Sequence, residues 1–435
     1  MIRMSTFKRG GVHPHDKKEL SKNSPIEVLP MPETLIVAMS QHIGAPAKAL
    51  KKKGDTVVKG EMIGQAASFV SANVHSPVSG SVVDVRNVRL ANGASCEAVV
   101  IKADGIQPEM FTTRYDWKNE SPQTLLDTIR DMGIVGMGGA TFPAHVKLAV
   151  PEGKKVDALI INGVECEPYL TSDYRSMLER ADETLEGVMI LAKILSPSRI
   201  IIGIEANKLD AVSLLQERIS KYSYPVEVLA LKMKYPQGDE KQLIKAAVGR
   251  EVPSGKLPID VGAVVCNIGS VYAVYEACVF HKPLIERIVT VSGEAVSRPR
   301  NLLCPVGAAT KDLIAYCGGY NCEEPDKLIS GGPMMGFAFA DEEAPVLKGT
   351  SGILALKAEV VNEGVCVSCG KCVAHCPMGL MPNKMFRNIK NGRYKEALDL
   401  GLLDCKECGC CAFICPAHLP LVQGFKLGKK MSRRK

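Results

Sequence analysis

The sequence predicts a multidomain α/β protein. It has an all-β module near the N-terminus, a doubly wound parallel-sheet domain in the middle and a small helical, cysteine-rich module near the C-terminal end. Three observations carry this. Residues from about Leu35 to Ala103 break into many short apolar runs punctuated by glycine. From about Ser121 to Pro283, runs of strand type alternate with runs of helical spacing. A four-cysteine motif ending in proline then occurs twice. At 435 residues the chain has room for about three domains.

Composition narrows the class. Hydrophobic residues make up 46% and charged residues 23%, as in ordinary globular proteins, and disorder is excluded. No apolar stretch approaches the roughly 18 residues of a spanning helix; the uncharged run Val261 to Tyr275 contains Asn267 and Ser270. The opening MIRMSTFKRGG lacks the apolar core of a secretory signal, so a cytosolic location is expected. The net charge of +7 is concentrated: Lys426 to Lys435 carry six positive charges and no negative one. A chain near neutral elsewhere does not present a nucleic-acid-binding face. The tail, 423–435, reads either as a contact for an acidic lipid or partner surface or as a solvated, frayed end.

The elements follow in chain order. Residues 1–34 read as an exposed arm, in which His13 and His15 make only half a metal site. Over 35–110, Lys53 to Gly60 and His75 to Val83 look like the two halves of a barrel-sandwich hybrid of the biotinyl/lipoyl kind. No lysine sits at a hairpin tip in a modification context, so a structural docking module is expected. Over 115–283, strands are expected at Ala158–Gly163, Arg199–Ile204, Val226–Leu231 and Ala263–Ile268. Helices are expected at Thr124–Met132, Met177–Leu195, Leu209–Ile219, Glu240–Val248 and Val271–Phe280. Such alternation builds an open parallel sheet covered on both faces, whose ligands sit at the carboxyl ends of the strands.

Four polar segments belong to that edge. The loop Gly133-Ile-Val-Gly136-Met-Gly138-Gly139-Ala-Thr141-Phe-Pro143 does not fit the dinucleotide fingerprint. It reads either as a phosphate cradle opening a helix, with Thr141 as cap and Lys147 one turn on, or as a tight interhelical turn. Asn162 to Pro168, Tyr235 to Glu240 and Asn267 each read singly as a turn or cap. Their common edge points to a ligand crevice.

Sixteen cysteines in a cytosolic chain do not suggest a disulfide framework. Cys366-x2-Cys369-x2-Cys372-x3-Cys376-Pro and Cys405-x2-Cys408-x2-Cys411-x3-Cys415-Pro both have the spacing of two-cluster ferredoxins, in which the fourth cysteine of each run serves the other cluster. One [4Fe–4S] cluster is therefore assigned to Cys366, Cys369, Cys372 and Cys415, the other to Cys376, Cys405, Cys408 and Cys411. Paired zinc ribbons would not need two identical runs with closing prolines. Cys410 is surplus. The module, 355–422, is longer and more helical than a free ferredoxin, and it carries single electrons without bond chemistry of its own.

The order GMGGATFPAHVKL, NGVECEP, YPQGDE and CNIGS resembles the flavin-binding, NADH-oxidising subunit of respiratory complex I. With FKRGGVHP, VHSPVSGSV, NGVECEPYLTSDYR, SGGPMMG and the doubled cysteine motif, nearly the whole chain resembles the C-subunit family of the Rnf complexes, ion-pumping ferredoxin:NAD oxidoreductases of bacterial membranes. The resemblance implies a Rossmann-like flavin domain binding FMN non-covalently. Its phosphate would lie on Gly136, Gly138, Gly139 and Lys147, and its ring and ribityl chain against Asn162, Glu165, Tyr235, Glu240 and Asn267. NAD(H) would stack above the flavin, and no side chain would act as a catalyst. Residues 284–345 resemble the small β-grasp (SLBB) domain that follows. Met137 stands where the complex I loop carries a basic residue, and Val164 and Cys166 where that relative is more polar. The implied role is an electron-input subunit at the cytoplasmic face of the membrane. It would be partnered by other subunits of the complex, including a ferredoxin-like iron–sulfur protein, and coupled to Na+ or H+ translocation. A soluble hydrogenase-type diaphorase, or an iron–sulfur adaptor without flavin, are the alternatives.

Overall fold

The computed structural model describes residues 4–222, 225–357 and 361–433. Among them no helix is long and apolar enough to cross a membrane.

The N-terminal module is two small antiparallel sheets facing each other. One runs Thr34–Ala38, Ser95–Ala103, Gly80–Arg89, Thr56–Val57; the other runs Lys48–Ala49, Met62–Gln65, Val74–His75. Strand alternation turns Leu35, Val37, Val99 and Ile101 from one sheet and Ile63 and Val74 from the other into a single core. This is the barrel-sandwich arrangement that the two sequence halves suggest.

The central sheet is all parallel, in the order Val226–Leu231, Arg199–Glu205, Ala158–Asn162, Ala263–Asn267. Its strands are near-continuous Ile/Val/Leu runs because both faces are covered. Ala181–Leu195, Leu209–Ile219 and Ile268–Phe280 pack on one face. Leu243 and Ile244 of Glu240–Val248 cover Ile160 and Val265 on the other. Two expected boundaries move. The Met177–Leu195 helix is two helices, Ser172–Glu179 and Ala181–Leu195, broken at Arg180 (φ −134). The first packs towards the strand Glu286–Ser292 and the second onto Ile268–Phe280, directions that one straight rod cannot serve. The last helix starts at Ile268, not Val271, because Asn267 caps it.

The following domain is a mixed six-stranded sheet: Ile26–Val28, Arg300–Pro305, Glu286–Ser292, Gly352–Leu356, Lys327–Ser330, Phe337–Phe339. It draws in two segments from outside the expected 284–345 span. Gly352–Leu356 lies inside the sheet between Glu286–Ser292 and Lys327–Ser330. Ile26–Val28 completes one edge.

The N-terminal segment is therefore not a free arm. Ser5 bridges to Leu231, Val12 to Tyr235, and Phe7 is 1% exposed. His13 and His15 do lie exposed on this segment. The reason is unpaired backbone: sheet edges and the crevice turn offer donors and acceptors that this extended chain satisfies.

The cysteine module is built on Pro382–Lys390, Tyr394–Asp399 and Leu421–Ser432, with Met385, Phe386, Ile389, Ala397 and Phe425 as its core. The 423–435 tail is corrected here. Up to Ser432 it is part of the last helix, with Lys429 2.7 Å from Glu407 and Lys426 over the Phe337 ring at 4.9 Å. Its last two residues, Arg434 and Lys435, lie outside the described residues.

Gly187 tests the packing of the central domain. Alanine normally favours a helix over glycine by about 1 kcal/mol. Here a Cβ would stand 2.3 Å from the Val271 carbonyl oxygen on the adjacent helix. Gly187→Ala is expected to cost about 1–3 kcal/mol through overpacking, read as a lowered thermal transition of the intact protein; a raised one would contradict this helix contact.

Candidate cofactor sites

The crevice begins at two paired strand ends. Asn162 and Asn267 stand in register at the carboxyl ends of Ala158–Asn162 and Ala263–Asn267. The strand order reverses between them: the chain runs outward from Ala158–Asn162 through the next two strands and returns across the other face, by way of Glu240–Val248, to Ala263–Asn267, which makes this the switch point where open α/β sheets bind ligands. Asn267 Oδ1 accepts from Gly269 N at 2.9 Å and Ser270 N at 3.4 Å, and its Nδ2 donates to Asp173 Oδ2 at 2.7 Å. Asn162 Nδ2 donates to the Gly238 carbonyl at 2.9 Å, which ties the Tyr235–Glu240 turn to the same edge.

The glycine loop closes on itself through Gly136 N to Phe142 O, 2.8 Å. Gly138, Gly139 and Ala140 stand exposed at its tip. Gly138 packs so near Asn267 that a Cβ would come within 3.0 Å of the Asn267 Cβ, whereas Gly139 (φ 126) has open space around it. Thr141 is not the cap expected of it. It adopts φ 47 and accepts from Ile43 N, and the short helix Ala144–Leu148 starts after Pro143. Met137 turns away from the tip into the core and donates its N–H to Ser270 Oγ at 2.7 Å. Lys147 and Glu240 meet at 2.7 Å, each about one-third exposed.

Two expected crevice residues are committed elsewhere. The Glu165 carboxylate accepts from Asp173 N at 2.7 Å and Tyr174 N at 3.3 Å and lies 3.9 Å from Lys18 Nζ. It thus caps the helix Ser172–Glu179. Burial and the adjacent Glu165 push the Asp173 carboxyl well above the ordinary carboxylate range. Tyr235 is 2% exposed, packed with Val12, Cys408 and Cys410, and its hydroxyl donates to Glu167 at 3.4 Å. Sequence reasoning does not single out Asp173 or Glu167. An acid after serine at a helix start looks like an ordinary first-turn residue, and only the fold brings Asp173 to Asn267.

The cysteines form two nests. Cys366, Cys369, Cys372 and Cys415 line one cavity of about 280 Å³, with Arg387 and Lys390 at its wall. Cys376, Cys405, Cys408 and Cys411 line a second, tighter one. Each run curls by the same device. The residue before its second cysteine is left-handed (Ser368 φ 54, Glu407 φ 57), and a left-handed glycine follows (Gly370 φ 75, Gly409 φ 81). Backbone N–H groups of Leu380 and Glu407 point at Cys376 and Cys405 sulfurs, both at 3.4 Å. Burial pushes the Cys405 thiol up to about 11 and those of Cys372 and Cys376 upward. Thiols enclosed in this way ionise when a metal centre takes the place of their protons, so the donor sets suit four-iron clusters. The nests differ in access: Cys366 and Cys369 are exposed, Cys376, Cys408 and Cys411 buried.

Comparison with known proteins now decides the family. The chain is 48% identical to the C subunit of the proton-translocating ferredoxin:NAD(+) oxidoreductase complex of Clostridium ljungdahlii, over 91% of this chain and 87% of that one. It is 43% identical to the C subunit of the Na(+)-translocating ferredoxin:NAD(+) oxidoreductase complex of Acetobacterium woodii, over 88% and 86%. It is 42% identical to the C subunit of the ion-translocating oxidoreductase complex of Rhodobacter capsulatus, over 98% and 83%. The chain belongs to the RnfC family.

Four domain models match along the chain: the RnfC barrel sandwich hybrid domain over 5–106, the Nuo51 FMN-binding domain over 129–276, the SLBB domain over 288–338 and a 4Fe-4S dicluster domain over 365–419. The chain therefore carries the cofactor domains for FMN and for two four-iron clusters. Among solved structures, an NAD+-reducing [NiFe]-hydrogenase in its air-oxidized state shares the fold, with TM-score 0.53 and 18% identity over 72% of this chain and 66% of that one.

Glu167 gives the chain a pH signature. Burial holds its carboxyl at about 7 instead of the ordinary 4.5. An acid raised in the folded state contributes most below its unfolded value and loses that contribution as pH climbs towards 7. Glu167→Gln, which keeps the acceptor for Met334 N, is expected to remove that decline, gaining roughly 3 kcal/mol on the wild type between pH 4.5 and 8. Urea unfolding at the two pH values checks it; parallel curves would contradict the assignment.

Proposed function

We propose that this chain is the electron-input subunit of a membrane-bound, ion-translocating ferredoxin:NAD+ oxidoreductase. When bound, FMN supplies two-electron exchange with NAD(H) and one-electron exchange with the clusters, which pass single electrons onward. The chain's own residues hold and separate these groups. Gly136, Gly138 and Gly139 would give the flavin phosphate close backbone approach, and Lys147, which pairs with Glu240, would offset its charge. Asn162, Asn267 and Glu240 present polar groups to the ring and ribityl chain. Met137 is buried with its methyl group packed beside Gly269, so where the complex I relative carries a basic residue this edge has an apolar, uncharged one.

Position orders the two cysteine nests. Cys408 and the neighbouring Cys410 pack against Tyr235, at the crevice turn, so the second nest is the inner station. The first nest opens to solvent between Val365 (84% exposed) and Val367 (70% exposed), so it is the outer station, facing a redox partner. That shared wall between crevice turn and buried nest is the observation that carries the reading. The other subunits, a ferredoxin-like iron–sulfur protein among them, hold the chain at the cytoplasmic membrane face and carry the Na+ or H+ path. The barrel-sandwich module weighs against a free-standing diaphorase, because docking within a larger assembly is the use its position suggests.

The purified chain should hold about eight irons and one acid-releasable flavin, and NADH should bleach the flavin absorbance anaerobically. An iron-replete chain that never bleaches would leave only a passive adaptor. The order of stations makes a second forecast. Cys366→Ala should still let NADH reduce the remaining cluster, whereas Cys408→Ala should block reduction of the outer one while flavin bleaching persists. Equal effects of the two substitutions on outer-cluster reduction would reverse or void the order.

A further inference from the structure

The segment Phe7-Lys-Arg-Gly10-Gly11-Val12 lies between the crevice turn and the inner cysteine nest, and nothing in the proposed electron path uses it. Gly10 adopts φ 62, and a Cβ there would stand 2.6 Å from the backbone carbon and oxygen of Cys376 and 2.8 Å from the His375 oxygen. All three are backbone atoms, which cannot swing aside as a side-chain tip can. Gly11 N donates to His375 O at 2.9 Å. Val12 exchanges both of its backbone hydrogen bonds with Tyr235, each at 2.9 Å. Three consecutive residues thus touch a cluster ligand on one side and the crevice turn on the other.

The segment is anchored to the flavin domain on both flanks. Upstream, Lys232 N donates to Ser5 O at 2.9 Å, and Lys234 Nζ donates to Phe7 O at 3.2 Å and lies over its ring at 4.3 Å. Downstream, Tyr169 N donates to Asp16 O at 2.8 Å, and Lys18 Nζ donates to Glu167 O at 3.0 Å. Arg9 covers Gly379, the residue whose N–H closes the Cys376 turn at 3.1 Å. A cluster's potential responds to hydrogen bonding and solvent access at its sulfurs, and electron tunnelling falls steeply with separation. The backbone that seats Cys376 controls both.

We propose that Gly10–Val12 is a positioning clasp: the flavin domain uses it to seat the Cys376 ligand turn against Tyr235, fixing the potential and the reach of the inner cluster alone. This rests on the assignment of Cys376, Cys405, Cys408 and Cys411 to one cluster.

Potentiometric EPR on the full-length holoprotein tests it, with the inner-cluster signal identified by its loss in Cys408→Ala. Gly10→Ala is expected to shift the midpoint of that signal and to slow its reduction by NADH about tenfold, leaving the midpoint of the outer signal and flavin bleaching unchanged. Arg9→Ala, which keeps the backbone free of new contacts, should shift the same midpoint in the same direction and decides the matter if Gly10→Ala does not fold. Gly54→Ala is the control for left-handed strain, since Gly54 (φ 93) has nothing within 4 Å; it should move neither signal. Unchanged midpoints and wild-type inner-cluster reduction in folded Gly10→Ala and Arg9→Ala would overturn the clasp while leaving the two-cluster reading intact. A wild-type protein with one signal or none would instead overturn the cluster assignment beneath it.

Discussion

The molecule depends on the in-register pairing of two parallel strands that end on asparagine. Asn267 caps a helix with one side-chain atom and holds Asp173 with the other; Asn162 fixes the next turn through Gly238. Backbone pairing sets these side chains next to each other before any ligand arrives. The crevice is therefore preorganised by secondary structure, and its loops need adopt no new order to present their polar groups.

Beneath that edge the protein buries charge. Lys18, Glu165, Asp173, Glu205, Lys208 and Arg287 are enclosed within the central region and against the small β domain. Such a network contributes little by mere pairing, but removing one member strands another in low dielectric at a cost of about 3–5 kcal/mol. Its value lies in registering pieces that are distant in sequence. Lys18 comes from the N-terminal segment and bonds the Glu167 and Leu170 carbonyls; Arg287 comes from the small β domain and bonds the Lys348 carbonyl. The same chemistry that orders the crevice locks three parts of the chain together.

What can be read from the sequence follows the range of each signal. Strand and helix alternation is local, and it locates the four central strands to within a residue or so. Cysteine spacing is local too, and the repeated left-handed turns at Ser368–Gly370 and Glu407–Gly409 are its geometric expression. The N-terminal segment has no such signal: its partners lie more than two hundred residues away, at Leu231, Tyr235 and Asn301, and no periodicity announces them. Gly352–Leu356 escapes for the same reason, since it enters its sheet beside a strand sixty residues earlier. Thr141 looks like a cap because a proline two residues on suits a helix start. The loop instead spends that residue on meeting Ile43 of the barrel-sandwich module. Glu165 and Tyr235 stand at the expected edge, but the helix start at Ser172 and the wall of the inner nest claim their side chains.

The crossed cysteines have a consequence for biogenesis. Cys415 shares a cavity with the three cysteines of the earlier run, and Cys376 with those of the later one. Neither half of the module is self-sufficient, because each withholds the ligand that the other lacks. A ribosome must release Cys411 before the later nest is complete and Cys415 before the earlier one, so maturation machinery meets either site only when nearly the whole module has emerged. Truncation between the halves would leave neither nest with four cysteines, whereas oxidation of one crossing thiol, Cys376 or Cys415, disables only the nest it completes.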